Sequence, residues 1–284
     1  MELNPRIGGA QRSRENLGEV GRLDLGLRER VAIVAGASRG IGFATAVRLG
    51  YEGTRLVICA RGRERLDAAA HAVRTETGAD VLALALDLTR AEDVKELIRQ
   101  TLDRHDRLDV LVANTGGPRY ASFSAASPDL WEESFRTVVH STVLLCREAI
   151  PAMQSRRWGR IVCMGSITAL RPLPNLVLAS AMRSALLGLT KALAQEVAPY
   201  GITINAVCPG YIHTETFLAN LWDRARQSGL SVEAALADLE KRIPMGRVGR
   251  PEELASLIAF LTSEAAGYMT GSVLPMDGGL LQAA

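Results

Sequence analysis

A glycine-rich segment with phosphate-binding chemistry follows the first buried-looking strand of the chain. Residues 31–34 (V-A-I-V) form a short β-branched run that predicts a buried parallel strand. Residues 36–42 (G-A-S-R-G-I-G) follow, and a helical pattern begins near Ile41. Such glycines let the backbone approach a pyrophosphate, while free N–H groups at a helix start favour an anion. Three glycines alone would equally mark a loop, but alternating strands and helices after them favour a phosphate cradle. Its predicted members are Gly36, Ser38, Arg39, Gly40, Ile41 and Gly42.

Two arginines bear on which nucleotide this cradle would bind. Arg61 lies 19 residues after Gly42, at the end of the second predicted strand. A carboxylate there would accept a hydrogen bond from a ribose 2′-hydroxyl, whereas arginine suits a 2′-phosphate. Arg39 could supply a second guanidinium. In an arginine-rich chain both could instead be ordinary surface residues, and Glu64 nearby weakens the case. The pattern favours NADP(H).

Further motifs follow the glycine segment in a set order. They are Asp87-Leu88, Asn114-Thr-Gly116-Gly117, Gly165-Ser166, Pro209-Gly210 with Thr214, and Met276-Asp-Gly-Gly279. Together they resemble the short-chain dehydrogenase/reductase family over about residues 24–281, and most closely its bacterial 3-oxoacyl-(acyl carrier protein) reductases.

The resemblance implies roles for several cofactor-binding residues. Asp87, followed by Leu88, would accept from the adenine amino group, and a capping box at Thr89 would leave its carboxylate free for that role. Asn114 and Gly116 would support the central strand and let the cofactor approach. Ile212 and Thr214 would hold the nicotinamide carboxamide.

The catalytic helix departs from the family pattern. Residues 180–194 (S-A-M-R-S-A-L-L-G-L-T-K-A-L-A) resemble the helix on which the family carries Tyr-x-x-x-Lys, but those two positions are Ala179 and Arg183. Ser166 lies 13 residues before position 179, as the family serine does, and Val138 stands at the family asparagine. The predicted catalytic residues are therefore Ser166 and Arg183.

The missing phenol matters because carbonyl reduction leaves an alkoxide that needs a proton. A positioned acid contributes roughly 10²–10⁴ in rate. Arg183 could hold the nicotinamide ribose and keep a positive field, but guanidinium cannot relay a proton near neutral pH. Tyr211, Tyr120 and His213 are alternative donors, each equally consistent with loop packing or a surface position.

Composition limits the classes of function. The chain has 284 residues, 48% of them hydrophobic, and a formal charge of +2. These values suit one α/β domain and give no electrostatic case for a nucleic-acid or membrane partner. The four cysteines show no metal-ligand spacing and suggest a reducing cytosol. We find neither an apolar run of membrane-spanning length nor a signal-peptide pattern, and we expect cytoplasmic localisation. His105 and His140 are predicted to lie on helix surfaces.

Alternating strands and helices predict a single Rossmann-type doubly wound parallel sheet of about seven strands. Residues 1–23 are predicted to be a disordered extension, and 24–284 the dinucleotide-binding domain. The predicted strands are 31–35, 55–60, 81–86, 109–113, 160–165, 202–207 and 272–275. The predicted helices are 41–50, 64–77, 90–103, 128–154, 177–198 and 251–262, with an N-cap at Ser127 before Pro128.

Two functions remain open. The first is an NADP(H)-dependent oxidoreductase acting on a carbonyl or hydroxyl compound, similar to 3-oxoacyl reductases, with a non-standard active site. An apolar stretch at residues 217–222, where the family has its substrate lid, favours a greasy or acyl-linked substrate. The second is a catalytically inactive nucleotide-binding protein that serves as a structural or regulatory partner. The resemblance also implies a homotetramer, or at least a dimer.

Overall fold

A computed structural model describes residues 24–281 and shows one seven-stranded parallel sheet. The strands are β1 Val31–Ala35, β2 Arg55–Ala60, β3 Val81–Ala85, β4 Val110–Ala113, β5 Gly159–Met164, β6 Ile202–Pro209 and β7 Val273–Met276. Their order is β3-β2-β1-β4-β5-β6-β7. Successive strands are added on one side of β1 up to β3 and on its other side from β4 onward, so the strand order reverses between β1 and β4. The predicted doubly wound sheet is confirmed. The predicted extension at 1–23 lies outside the described residues.

Helices cover both faces of the sheet. They are α1 Gly40–Tyr51, α2 Arg63–Thr77, α3 Ala91–His105, α4 Pro128–Phe135, α5 Ser141–Arg156, α6 Val177–Val197, α7 Glu215–Ser228, α8 Val232–Glu240 and α9 Pro251–Leu261. One apolar layer contains α1, α2 and α9, and the other contains α3, α5 and α6. Successive β1 residues alternate between the layers, with Ala32 in the first and Ile33 in the second, as the two-residue repeat of a strand requires.

Two features of the helices differ from the sequence prediction. The predicted helix 128–154 contains a π-helical turn at Arg136–His140 between α4 and α5. The helices α7 and α8 are absent from the predicted set, although Thr214 and Ser231 cap them by accepting from backbone N–H groups. The apolar residues of the two helices pack mainly against each other and form a cluster apart from the main core. The predicted Ser127 cap of α4 is present, accepting from Leu130 N at 3.3 Å.

The predicted capping box at Thr89 is wrong. Helix α3 begins at Ala91 with Arg90 as its N-cap residue. Thr89 instead donates to Asp87 Oδ1 through both its backbone N–H (3.0 Å) and its hydroxyl (2.9 Å). The short side chain of Asp87 accepts these bonds in the turn that precedes α3. Oδ1 of Asp87 is therefore bonded to Thr89, whereas the whole carboxylate was expected to be free.

The histidines and cysteines are less exposed than a surface assignment implies. His105 is 8% exposed, and burial lowers its pKa. His140 is partly buried and stacks on Phe135 with ring centroids 6.3 Å apart. The surface prediction for these histidines is wrong, because α3 and the π-helical turn pack them inward. All four cysteines are buried as free thiols. Residues 24–281 contain no cluster of metal-ligating side chains.

Helix α6 is long and apolar. Together with the following turn to Tyr200, it is 24 residues long and its most apolar window has a mean hydropathy of 1.3, enough to cross a membrane by length and composition. The sequence patterns had not singled out this helix. The helix packs along β6, and buried residues make up 39% of its most apolar window. Core helices pass the same test, so the finding is weak evidence for a membrane span.

Glu253, in the first turn of α9, bonds the segment 247–250, and this segment contacts the loop that follows β6. Glu253 pairs with Arg247 at 2.6 Å and accepts from Arg250 N at 2.8 Å. Gly249, in the segment before α9, forms a parallel bridge with Ile212 in the loop after β6. Arg247, and then the Arg250 N–H, lower the pKa of Glu253 to about 2.

We expect Glu253→Gln to lower the melting temperature at neutral pH. Gln can still accept from the Arg250 N–H, so the change removes the charge that pairs with Arg247. A partly exposed ion pair contributes up to about 1 kcal/mol, which corresponds to at most about 2–4 °C for a domain of this size. Because the folded pKa lies below an unfolded value of about 4.3, the contribution of Glu253 is present above pH 4.3 and is lost as pH falls toward 2. Thermal unfolding against pH, with Glu252→Gln as the control, tests this. Equal losses in both variants would contradict it.

Candidate functional site

A cleft of about 780 Å³ lies at the carboxyl ends of the strands, where the strand order reverses. The loops after β1 to β6 and helix α7 form its walls. The structure brings most of the sequence-predicted site residues together there. Those that line it are Gly36, Ser38, Arg39, Gly40, Ile41, Arg61, Asp87, Leu88, Asn114, Gly116, Ser166, Arg183, Ile212 and Thr214.

The glycine segment forms a close-packed cradle. A Cβ on Gly36 would lie 2.5 Å from the Asn114 carbonyl oxygen, and Gly36 has a φ of +61°. A Cβ on Gly42 would lie 2.3 Å from the Gly36 carbonyl oxygen. Gly42 is buried and does not line the cleft, so its contribution is packing rather than ligand contact. Arg39 precedes α1 without a side-chain cap, which leaves the first N–H groups of α1 for a ligand.

Three arginines and one carboxylate form the charged end of the cleft. Arg39 pairs with Glu215 on α7 at 2.7 Å, and Arg65 lies 3.6 Å from the same carboxylate oxygen. The hydrogen bond from Arg39 is the main reason that the pKa of Glu215 is lowered. Sequence reasoning missed Arg65, which lies in the first turn of α2 and lines the cleft. Glu64, which had weakened the case for a phosphate, lies outside the cleft lining.

Thr115 is an unpredicted polar residue of the cleft wall. It is 8% exposed, and its Oγ1 has no hydrogen-bond partner within residues 24–281. Its neighbour Asn114 donates to the Gly36 carbonyl at 3.4 Å and so links the turn to the glycine segment. A buried hydroxyl without a partner is costly. Thr115 is therefore available to bond a molecule bound in the cleft.

Arg183 lies at the opposite end of the cleft and is 8% exposed. Its guanidinium donates to the Met164 carbonyl and, at 3.1 Å, to the Gly116 carbonyl. Burial lowers its pKa to about 10, so it remains a cation at neutral pH. Within residues 24–281 no carboxylate forms an ion pair with it. The cleft therefore contains a fixed positive charge.

Ser166 lies just after β5 with its hydroxyl proton free. Its Oγ accepts from the backbone N–H of Thr168 at 3.2 Å and from the Thr168 hydroxyl at 3.0 Å. The Ser166 proton can thus be donated to a ligand oxygen. Ala179, 9% exposed, also lines the cleft. Val138, at the family asparagine position, is fully buried with Met182 and does not line the cleft.

Two of the three alternative proton donors line the cleft. Tyr120 accepts from Asn220 Nδ2 at 3.1 Å, and Tyr211 packs beside Phe217 with ring centroids 6.1 Å apart. The pKa of Tyr120 is raised by burial and by Tyr211, and the bond from Asn220 opposes this. His213 is exposed and is not part of the cleft lining.

The lid helix α7 presents a mixed surface to the cleft. Thr216, Phe217 and Asn220 line it, whereas Leu221 is buried against α8 and Trp222 is 64% exposed. The expectation of an apolar wall from residues 217–222 therefore fails for Leu221 and Trp222. Helical periodicity turns them away from the cleft, so these residues carry no argument for a greasy substrate.

Comparison with known proteins identifies relatives over nearly the whole domain. Residues 36–281 match a family described as enoyl-(acyl carrier protein) reductase. A 3-oxoacyl-[acyl-carrier-protein] reductase of Aquifex aeolicus is 32% identical over 91% of this chain and 100% of its own length. Dehydrogenase/reductase SDR family member 4 of Sus scrofa is 33% identical over 89% of this chain and 88% of its own. L-sorbose reductase from Gluconobacter frateurii, crystallised with NADPH and L-sorbose, superimposes with a TM-score of 0.88 at 31% identity, covering 92% of this chain and all of that one.

We expect NADPH to bind more tightly than NADH, and Arg61→Asp to reverse the order. A hydrogen bond to a charged group contributes about 1.5–3 kcal/mol, so NADPH affinity should fall at least about ten-fold while NADH affinity is kept or improved. Fluorescence titration of both cofactors measures this, with Arg63→Asp as a charge-matched control outside the cleft lining. Equal affinities in the parent protein would refute the preference.

Glu215→Gln should strengthen NADPH binding, because it frees Arg39 from a competing carboxylate. Both side chains are largely exposed, so the change should be small, about two- to five-fold. NADH binding should change less. Glu64→Gln removes a carboxylate from the same neighbourhood without affecting the pair and serves as the control. A weaker NADPH complex in Glu215→Gln would show instead that the pair holds Arg39 in its binding position.

Proposed function

The chain belongs to the short-chain dehydrogenase/reductase family, and on that basis we propose that it is an NADP(H)-dependent oxidoreductase acting on a carbonyl or hydroxyl compound. One observation carries the proposal. A serine with a free hydroxyl proton and a buried cation, Ser166 and Arg183, lie in the same cleft as a phosphate cradle. The carbonyl could be a 3-oxoacyl group, as in the Aquifex relative.

The residues of the cleft fit a dinucleotide carrying a 2′-phosphate. The glycine segment leaves no room for a side chain where a pyrophosphate would approach. The buried Thr115 hydroxyl needs a partner, and Arg39, Arg61 and Arg65 offer planar donors to a phosphate. L-sorbose reductase and the actinorhodin polyketide ketoreductase were both crystallised with NADPH. When bound, the nicotinamide supplies a hydride.

The residues of the protein must stabilise the charge that develops on the substrate oxygen after hydride transfer. Ser166 donates a hydrogen bond to the substrate oxygen and so polarises the carbonyl. Arg183 stabilises the negative charge that develops on that oxygen, because a buried cation interacts more strongly than an exposed one. Neither group replaces the phenol of the family tyrosine, because guanidinium keeps its proton and a serine hydroxyl is a weak acid.

The alternative is a nucleotide-binding protein without turnover, which the methyl group at Ala179 favours. Cofactor binding is common to both functions, so turnover decides between them. We further infer a cytoplasmic protein that assembles as a dimer or tetramer, as the family resemblance implies, with neither nucleic acid nor membrane as partner.

A nicotinamide absorbance assay tests the proposal. The panel should contain acetoacetyl thioesters, ketoses and cyclic diketones, and the parent should oxidise NADPH with at least one of them. Ser166→Ala should lower kcat about 10²–10³-fold, whereas Ser155→Ala, an exposed serine of α5, should leave it unchanged. Ala179→Tyr with Arg183→Lys should raise kcat by at most about 10²–10⁴-fold, the whole contribution of a positioned acid.

Unchanged NADPH binding and melting temperature would show that these variants fold. A parent protein that binds NADPH but turns over no substrate, beside an active double variant, would establish the alternative. Unchanged turnover in Ser166→Ala would show that the serine has no catalytic part.

A further inference from the structure

The segment after β4 holds a tyrosine close to the start of α6. Ala121 forms a parallel bridge with Leu176, the residue immediately before α6. This places Tyr120 next to the backbone that leads into the first turn of α6, where Ala179 lies. Both Tyr120 and Ala179 line the cleft. The chain thus brings a phenol from another segment into the cleft in which the family phenol is missing.

The hydrogen bond to Tyr120 leaves its proton available. Asn220 Nδ2 donates to the phenol oxygen at 3.1 Å, so the O–H of Tyr120 is not used in that bond. It can be donated to a third group in the cleft. The same amide N–H would stabilise the phenolate left after donation. Burial, and then Tyr211, raise the pKa of Tyr120 overall, and the bond from Asn220 opposes that rise.

We propose that Tyr120 donates the proton to the substrate oxygen, and that Asn220 is a positioning residue that orients the phenol and stabilises its anion. The inference rests on the proposed function. Hydride addition at the carbonyl carbon, with the nicotinamide oxidised, leaves an alkoxide. The Tyr120 O–H bond then breaks and an alcohol O–H bond forms. The resulting phenolate takes a proton from water, which reaches it because Tyr120 is 58% exposed.

Tyr211 offers the natural comparison. It lines the same cleft, but it lies on the loop after β6 and packs against Phe217 of the lid. No backbone bridge links Tyr211 to the start of α6 within the described part of the chain, since its loop pairs with Gly249 instead. The two tyrosines share residue type and cleft, so they form a matched pair for substitution.

Tyr120→Phe should lower kcat about 100-fold or more while the Kd for NADPH and the melting temperature stay constant. Tyr211→Phe should change kcat less than about three-fold, far below the worth of a positioned acid. Asn220→Leu should lower kcat about ten-fold, the effect of losing one hydrogen bond to a charged group. In the protein without substrate, NMR of isotope-labelled tyrosine should show the Tyr120 phenol titrating at higher pH in Asn220→Leu than in the parent.

The most decisive experiment asks whether Ala179→Tyr restores the turnover that Tyr120→Phe removes. Adding Ala179→Tyr to Tyr120→Phe should restore turnover, and in the Ala179→Tyr background Tyr120→Phe should no longer matter. Normal turnover in Tyr120→Phe, or a larger loss in Tyr211→Phe, would overturn the role of Tyr120 and leave the proposed function standing. A parent protein and an Ala179→Tyr variant that both bind NADPH without any turnover would overturn the proposed function, and this inference with it.

Discussion

The candidate site is organised around a guanidinium that is buried without a carboxylate. Removing a charge from water is costly unless hydrogen bonds satisfy it. Arg183 meets this constraint by donating to the carbonyl groups of Met164 and Gly116, which lie at the end of β5 and in the turn after β4. One side chain of α6 therefore ties together two adjacent strand ends. Because carbonyl groups accept the bonds without cancelling the charge, the cleft keeps a cation.

Helix α7 joins the two ends of the cleft. Glu215, in its first turn, pairs with Arg39 at the end predicted to bind the 2′-phosphate, while Asn220 bonds Tyr120 near the start of α6. These contacts come from one rigid helix, so a ligand that displaces Glu215 acts on the element that also orients Tyr120. The Arg39–Glu215 pair is exposed and weak, whereas the contact between α7 and α8 is apolar and buried. The contact of α7 with α8 is thus more stable than its contact with Arg39.

Sequence patterns predicted the sheet because its central strands, such as β1 and β5, are buried on both faces, and buried strands read as continuous apolar runs. These patterns gave a wrong prediction where a short polar side chain has more than one possible hydrogen-bond partner. Thr89 satisfied the capping pattern but bonds Asp87. They failed also for α7 and α8, whose buried residues face each other rather than the main core. Arg65 and Thr115 were missed because their relation to the cleft depends on how α2 and the β4 turn pack.

The sequence by itself determined the parallel sheet, the order of its motifs and the absence of a phenol at position 179. These follow from local patterns, from apolar periodicity and from residue identity. Only the tertiary structure decided that Arg183 is satisfied by backbone carbonyl groups, that Glu215 pairs with Arg39, and that Asn220 bonds Tyr120. Each of these contacts joins residues distant in the chain. Their geometry follows from the packing of the strand ends and α7, which no local pattern encodes.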